Sequence, residues 1–174
     1  MMWPPPVSTI AVVGLVVLAT VQDLRRRRIS NALTFGAAAV ALVLHGVTDG
    51  WPGVLLAVSG WGVGFALFFP LFVLGGMGAA DVKLLAAVGA WLGPAGALWT
   101  GLYGAVAGGV LALFVSMARG YAGTALKNVG RVLRLWTVVG IQPVAGLTLA
   151  DNAAVRLPYA LPLAAGALTT LWLQ

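Results

Sequence analysis

Long apolar runs, broken only by glycine turns and clusters of arginine, leave this chain one kind of solvent in which it can fold. Only 8% of its 174 residues are charged and 61% are hydrophobic. Soluble domains carry about a quarter charged residues and somewhat under half apolar ones. A water-soluble globule of this composition would expose broad apolar surface and aggregate. The sequence is therefore that of an integral membrane protein, and the expected fold class is all-α and polytopic.

The first run, Val7 to Val21, is followed at once by Arg25-Arg26-Arg27-Arg28. Basic loops stay in the cytoplasm, which orients this helix with its N-terminus outside. Met1 to Pro6 has no basic residue and so lacks the positive start of a cleavable signal peptide. A second run extends from Ala32 to about Val47; after the turn Thr48-Asp49-Gly50, a third extends from Trp51 to Leu74. The glycine-rich stretch Gly75 to Asp81 leads into a short run, Val82 to Leu92, that Gly93-Pro94 stops. The fifth spans Ala95 to about Met117 and the sixth Leu157 to Leu173.

Between the last two runs the composition changes. Arg119, Lys127, Arg131, Arg134 and Arg156 face the single acid Asp151, while Leu126, Val129, Val132, Leu133 and Trp136 recur opposite the bases at helical spacing. Such a basic amphipathic segment, Arg119 to Arg156, is expected to lie on the inner membrane surface and hold anionic lipid.

The expected architecture is thus a bundle of six transmembrane helices forming one membrane-embedded domain over residues 1–174, with both ends outside and the basic segments in the cytoplasm. Membrane lipids are expected partners. The net charge of +6 would suggest nucleic acid in a soluble protein, but the bases sit between apolar runs without interleaved aromatics, so none is expected. Gly60, Gly62 and Gly64 in the third run, and Gly101, Gly104, Gly108 and Gly109 in the fifth, are expected to be packing residues that let helices approach closely in lipid.

Absences narrow the chemistry. With no cysteine and one histidine, His45, Cys-ligated metals and iron–sulfur clusters are excluded and a His-rich metal site is not expected; no cofactor is implied. His45 reads as an interfacial residue. Glutamate is absent, so Asp23, Asp49, Asp81 and Asp151 are the only acids.

An ionisable residue within a membrane span marks a functional site by default. With Val7 at the outer boundary, Asp23 lies about 24 Å in; with Gly93 outside, Asp81 lies about 18 Å from that end. Both carboxylates come to the inner leaflet on different helices. Two carboxylates brought together at low dielectric cannot both ionise easily and share a proton, which is the arrangement an aspartic protease needs. Asp49 falls in an outer turn, and Asp151 in a basic loop where an ion pair is the natural role. Plainer roles remain open: Asp23 could pair with Arg26 or Arg27 along its helix, and Asp81 could only cap the helix that begins at Val82. Lys83 could sit among headgroups or bias Asp81.

At these residues the sequence resembles a known family. Asp23-Leu24-Arg25-Arg26-Arg27-Arg28-Ile29-Ser30-Asn31 resembles the D-x-[RK]-x-x-x-I-P-N signature of type IV prepilin peptidases. Gly78-Ala79-Ala80-Asp81-Val82-Lys83-Leu84 resembles their G-x-G-D-[VI]-K-L signature, and Leu157-Pro158-Tyr159-Ala160-Leu161-Pro162 is similar to the proline–tyrosine segment near their C-terminus. The resemblance implies a membrane aspartic endopeptidase of the bacterial inner membrane. Asp23 and Asp81 are then catalytic, Asn31, Gly78, Ala80 and Lys83 support the motifs, and no metal or cofactor is involved. Its substrates are prepilins or pseudopilins, cut at the cytoplasmic face between a basic leader and the hydrophobic pilin helix.

Two departures stand out: Ala80 occupies the second motif glycine and Ser30 the proline. A methyl at 80 harms only a backbone that needs positive φ or close approach to substrate, and loss of the proline is expected to loosen the turn after Ile29. Without a cysteine-bearing insertion between the first two helices, the chain looks like the short, peptidase-only branch serving Flp/tad-type pili. Two other readings share the same residues: an inactive relative acting as an assembly scaffold, and a small transporter coupling protons or cations through the two acids. The nearly apolar central spans count against the transporter.

Overall fold

The computed structural model describes residues 5–144, 146, 148 and 158–173. Every regular element among them is helical: α1 Pro6–Arg26, α2 Asn31–Val73, α3 Ala79–Ala118, α4 Ala122–Val139 and α5 Ala160–Leu173. Asp151 and Arg156, with the start of the last apolar run at Leu157, lie outside the described residues.

Five helices replace the six expected. The second and third runs form the single 43-residue helix α2, and the fourth and fifth the 40-residue α3. The glycine turns fall where the sequence places them, but at each only one residue leaves helical geometry: Gly50 with φ 62° and Gly93 with φ 70°. Each is followed within two residues by a proline, Pro52 and Pro94, which starts a helix without needing a donor. Positive φ is open to glycine at no steric cost, so one residue redirects the chain and no loop is needed.

The bends are sharp. A methyl on Gly101 would lie 3.2 Å from Leu85 Cδ2, although a straight helix would hold these residues about 24 Å apart. Likewise Gly53 packs against the His45 carbonyl and Gly89 against Ala97. Both α2 and α3 double back on themselves. His45, read from the sequence as interfacial, is buried in the protein between the two bends: Nε2 pairs with the Trp91 carbonyl oxygen at 3.3 Å, and Nδ1 lies 3.6 Å from Asp49 Oδ2. Asp49 itself is exposed at the first bend, where it accepts the Thr48 hydroxyl.

Helix α3 is the axis of the molecule, packing against α1, α2 and α5. From Val82 to Gly93 it is buried on all sides except at Lys83, and a helix that is apolar all round belongs in a core. Three helices, α1, α2 and α3, are long and apolar enough to cross a membrane, and α5 is a shorter apolar helix. Large side chains such as Ile10, Val43, Val110 and Phe114 are more exposed than buried, as lipid-facing residues are.

The small-residue stripe works on one face only. Methyls on Gly60 and Gly89 would each strike the other's carbonyl oxygen, and Gly64, Gly101, Gly104 and Gly108 are similarly crowded. Gly62 and Gly109, expected to share that role, have nothing within 4 Å of where a Cβ would be. Gly62 falls about 200° round the helix from the Gly60–Gly64 face, so it points away from α3.

Helix α4 has no buried residue and touches α3 alone among the helices. Lys127, Arg131 and Arg134 line one side of it, and Leu126, Val129 and Leu133 are exposed on the other.

Candidate active site

The end of the bundle that carries both acidic motifs is shaped by two tight connections. Helix α1 stops when Arg27 adopts a left-handed conformation, φ 53°, with its N–H donating to the Asp23 carbonyl at 2.9 Å. Glycine is the usual residue there; Arg27 is the single non-glycine with positive φ among the described residues. Ile29 then inserts into the core and Ser30 caps α2: its hydroxyl accepts the Leu33 N–H at 3.3 Å, while its own N–H donates to Gln22 Oε1 at 2.9 Å. A proline could make neither bond. The turn expected to loosen without proline is instead held by serine at both sides.

At the other connection, Gly75 takes φ 74° and the chain re-enters helix at Gly78. Gly78, not Asp81, is the N-cap of α3. Asp81 occupies the first turn, and its carboxylate folds back to accept the Gly78 N–H, one of the orphan donors of a helix start. A methyl on Gly78 would sit 3.0 Å from Asp81 Oδ2, so this glycine is set by close approach. Ala80, by contrast, has ordinary negative φ and packs partly against the core; its methyl strains nothing.

Asp23 and Asp81 line one cavity of about 510 Å³ together with Arg27, Gly78, Ala80 and Tyr159. Phe72, Val73 and Met77 supply apolar wall, and Pro143 and Thr148 close one side. The volume falls in the range of ligand sites. Asp81 is 9% exposed; Asp23 is half-buried and lies within electrostatic reach of it. Asp23 turns toward α5, where Oδ2 accepts the Ala160 N–H at 3.4 Å. Both carboxylates are therefore oriented by backbone donors at helix starts, one by α3 and one by α5.

The four supporting residues separate into two pairs. Gly78 and Ala80 form part of the cavity wall. Asn31 and Lys83 sit beside it, tied to one another: Lys83 Nζ donates to Asn31 Oδ1 at 3.0 Å and lies 5.6 Å from the centre of the Phe35 ring. Lys83 does not line the cavity wall. The sequence also undervalues Tyr159, whose proline–tyrosine signal places it at the start of α5 but not on the cavity.

A second groove, lined by Phe35, Leu42, Val58 and Trp61, is apolar and about 280 Å³; it holds no group capable of acid–base chemistry. Among the described residues no cluster of His, Asp or Glu could hold a metal.

Carboxylates lining one cavity at one end of an apolar helical bundle define a membrane-embedded hydrolase as the class to test. Residues 10–113 match the model of the type IV leader peptidase family. The chain belongs to that family. It is also 33% identical, over 85 residues, to a preflagellin peptidase of Methanococcus voltae; the match covers 47% of this chain and 36% of that protein. The chain thus matches little more than a third of its relative's length. No solved structure matches it.

Proposed function

We propose that the protein is an aspartic endopeptidase that removes the basic leader from prepilins or pseudopilins at the cytoplasmic face of the bacterial inner membrane. Four of the five helices make six crossings, because α2 and α3 each turn back at Gly50 and Gly93 while α1 and α5 cross once; α4 lies along the surface. The N-terminus lies outside and the Arg25–Arg28 turn inside, as basic loops require, which puts the Asp23–Asp81 cavity at the cytoplasmic surface. Residues 1–174 act as one domain.

The observation that carries the reading is that two acids on different helices, out of only four in the chain, line the same cavity. One carboxylate takes a proton from a water molecule whose oxygen bonds to the scissile carbonyl carbon. The other, protonated, gives its proton to the carbonyl oxygen as the C=O π electrons move onto it. Collapse of the tetrahedral intermediate breaks the C–N bond, and the nitrogen leaves with a proton returned by the acid pair. No cofactor takes part. Non-helical backbone at Gly75–Gly78 is tolerated at a membrane boundary where it lines a wet cavity, and hydrolysis needs that water.

The test is co-expression with a prepilin, scoring loss of the leader by mass. Wild type is expected to cut; Asp23→Asn and Asp81→Asn are expected to leave the precursor intact while still inserting in the membrane. Equal processing by either variant would exclude the aspartic mechanism, and an inert wild type would favour the scaffold.

A further inference from the structure

Tyr159 is the one hydroxyl-bearing aromatic on the cavity wall, and its position goes beyond what the two acids explain. Its backbone neighbour Ala160 donates to Asp23, while its ring lies within electrostatic reach of Asp81. The residue thus lines the same cavity as both carboxylates. Its phenol has no hydrogen-bond partner among the described residues, although it is only partly exposed.

The ring is held firmly. It meets Phe68 edge to face, with centroids 6.1 Å apart, a favourable aromatic geometry. On its other side it lies on Gly108 so closely that a methyl there would come 2.8 Å from Cε2 and 2.9 Å from the hydroxyl oxygen. Three helices thus converge on one phenol: α2 through Phe68, α3 through Gly108 and α5 through the chain itself. A rigid side chain whose donor meets no acceptor among the described residues at a reaction cavity has the properties of a preorganised electrostatic stabiliser, which needs no reorganisation when charge develops.

We infer that Tyr159 is a third catalytic residue, whose phenol O–H donates a hydrogen bond to the oxygen of the scissile carbonyl as that oxygen gains charge. The phenol keeps its proton throughout. The acid pair still performs both proton transfers, and Tyr159 steadies the charge that develops on the carbonyl oxygen while the protonated aspartate passes its proton to it. The inference rests on the peptidase reading above and adds a residue to the same site.

The experiment measures prepilin cleavage by purified protein in nanodiscs, resolving kcat from KM, for wild type, Tyr159→Phe, Gly108→Ala, Phe68→Leu and Asp23→Asn. Tyr159→Phe keeps the ring and its packing, so its unfolding temperature is expected to match wild type while kcat falls about 100-fold, the loss typical of one oxyanion donor, with KM little changed. Gly108→Ala retains the hydroxyl but displaces it, and is expected to lower kcat as well. Tyr159→Phe at wild-type kcat, or with only KM raised, overturns the inference while leaving the peptidase intact, provided Asp23→Asn is inactive. A loss that tracks a fall in unfolding temperature, matched by Phe68→Leu, likewise reduces Tyr159 to a packing residue. If Asp23→Asn cuts as fast as wild type, the peptidase mechanism and the role of Tyr159 fall together.

Discussion

Lys83 Nζ donates to Asn31 Oδ1 at 3.0 Å, and this bond fastens the first acidic motif to the second. Asn31 opens α2 four residues beyond the αL turn at Arg27, and Lys83 stands two residues after Asp81 on α3. Neither side chain reaches the cavity, yet together they fix how the connection that follows Asp23 sits against the helix that carries Asp81. Asn31→Ala and Lys83→Met are each expected to slow leader removal several-fold without abolishing it. The bond is near the surface, so its loss costs about 1 kcal/mol or less of stability. The double variant should be no worse than the poorer single one, since one broken bond accounts for both. Additive losses in cleavage rate would show that the two residues act separately.

Gly78 and Ala80 occupy the two glycine positions of the motif, and the structure separates their roles. A methyl at 78 would push on the Asp81 carboxylate from 3.0 Å, so Gly78→Ala is expected to lower kcat by at least tenfold, by moving a reacting group out of line. Ala80→Gly restores the motif's residue where no positive φ calls for it. It should leave cleavage within about twofold of wild type and cost up to about 1 kcal/mol of stability, the usual penalty for glycine in a helix. Cleavage rates and thermal unfolding of the two variants in one detergent check both expectations.

How much of this is visible in the sequence depends on what apolar runs can encode. The runs mark where helix is compulsory in lipid, and Gly50 and Gly93 mark where its direction changes. They do not show that a single residue suffices for each change, because a hairpin loop and a one-residue bend follow the same glycine. The packing face of the glycine stripe is hidden for a related reason. A lipid-exposed helix is apolar on both its inner and outer sides, so Gly60 and Gly62 look alike until α3 is placed against one of them. The acids are easy to find, since a chain with four carboxylates offers few choices. What surrounds them is not: the Ala160 N–H that meets Asp23 and the Lys83–Asn31 bond beside the cavity join segments far apart in the chain, and only the packing of the helices brings them into reach.

The contact between α2 and α3 at Gly60 and Gly89 is backbone on backbone, with each carbonyl oxygen filling the space a side chain would take. Gly60→Ala therefore has no flexible neighbour to move, and forces the helices apart along the axis of the bundle. Overpacking of this kind costs about 1–3 kcal/mol. Gly62→Ala, with nothing within 4 Å, is expected to be neutral or slightly stabilising because alanine is the better helix former. A steric-trap or thermal unfolding comparison of the two variants reads the difference. Equal destabilisation would mean that the close approach of α2 and α3 is not what the glycines provide.

Helix α4 offers the clearest prediction about lipid. Its bases Lys127, Arg131 and Arg134 recur on one side while Leu126 and Leu133 are 75% and 56% exposed on the other, an amphipathic surface suited to the boundary between headgroups and acyl chains. The indole N–H of Trp136 donates to the Gln142 carbonyl at 3.0 Å, joining the end of α4 to the stretch whose Pro143 and Thr148 form one side of the cavity. Docking of α4 on an anionic leaflet should therefore steady that side of the site. Each base near such a surface contributes about 1 kcal/mol of attraction. Replacing all three with glutamine is expected to abolish any advantage of anionic over zwitterionic nanodiscs in cleavage rate, while leaving the rate in zwitterionic ones unchanged. Raising the salt should have the same effect on wild type, because the attraction decays within a Debye length of the membrane. A wild type equally active in both lipids would show that α4 does not use its charge in this way.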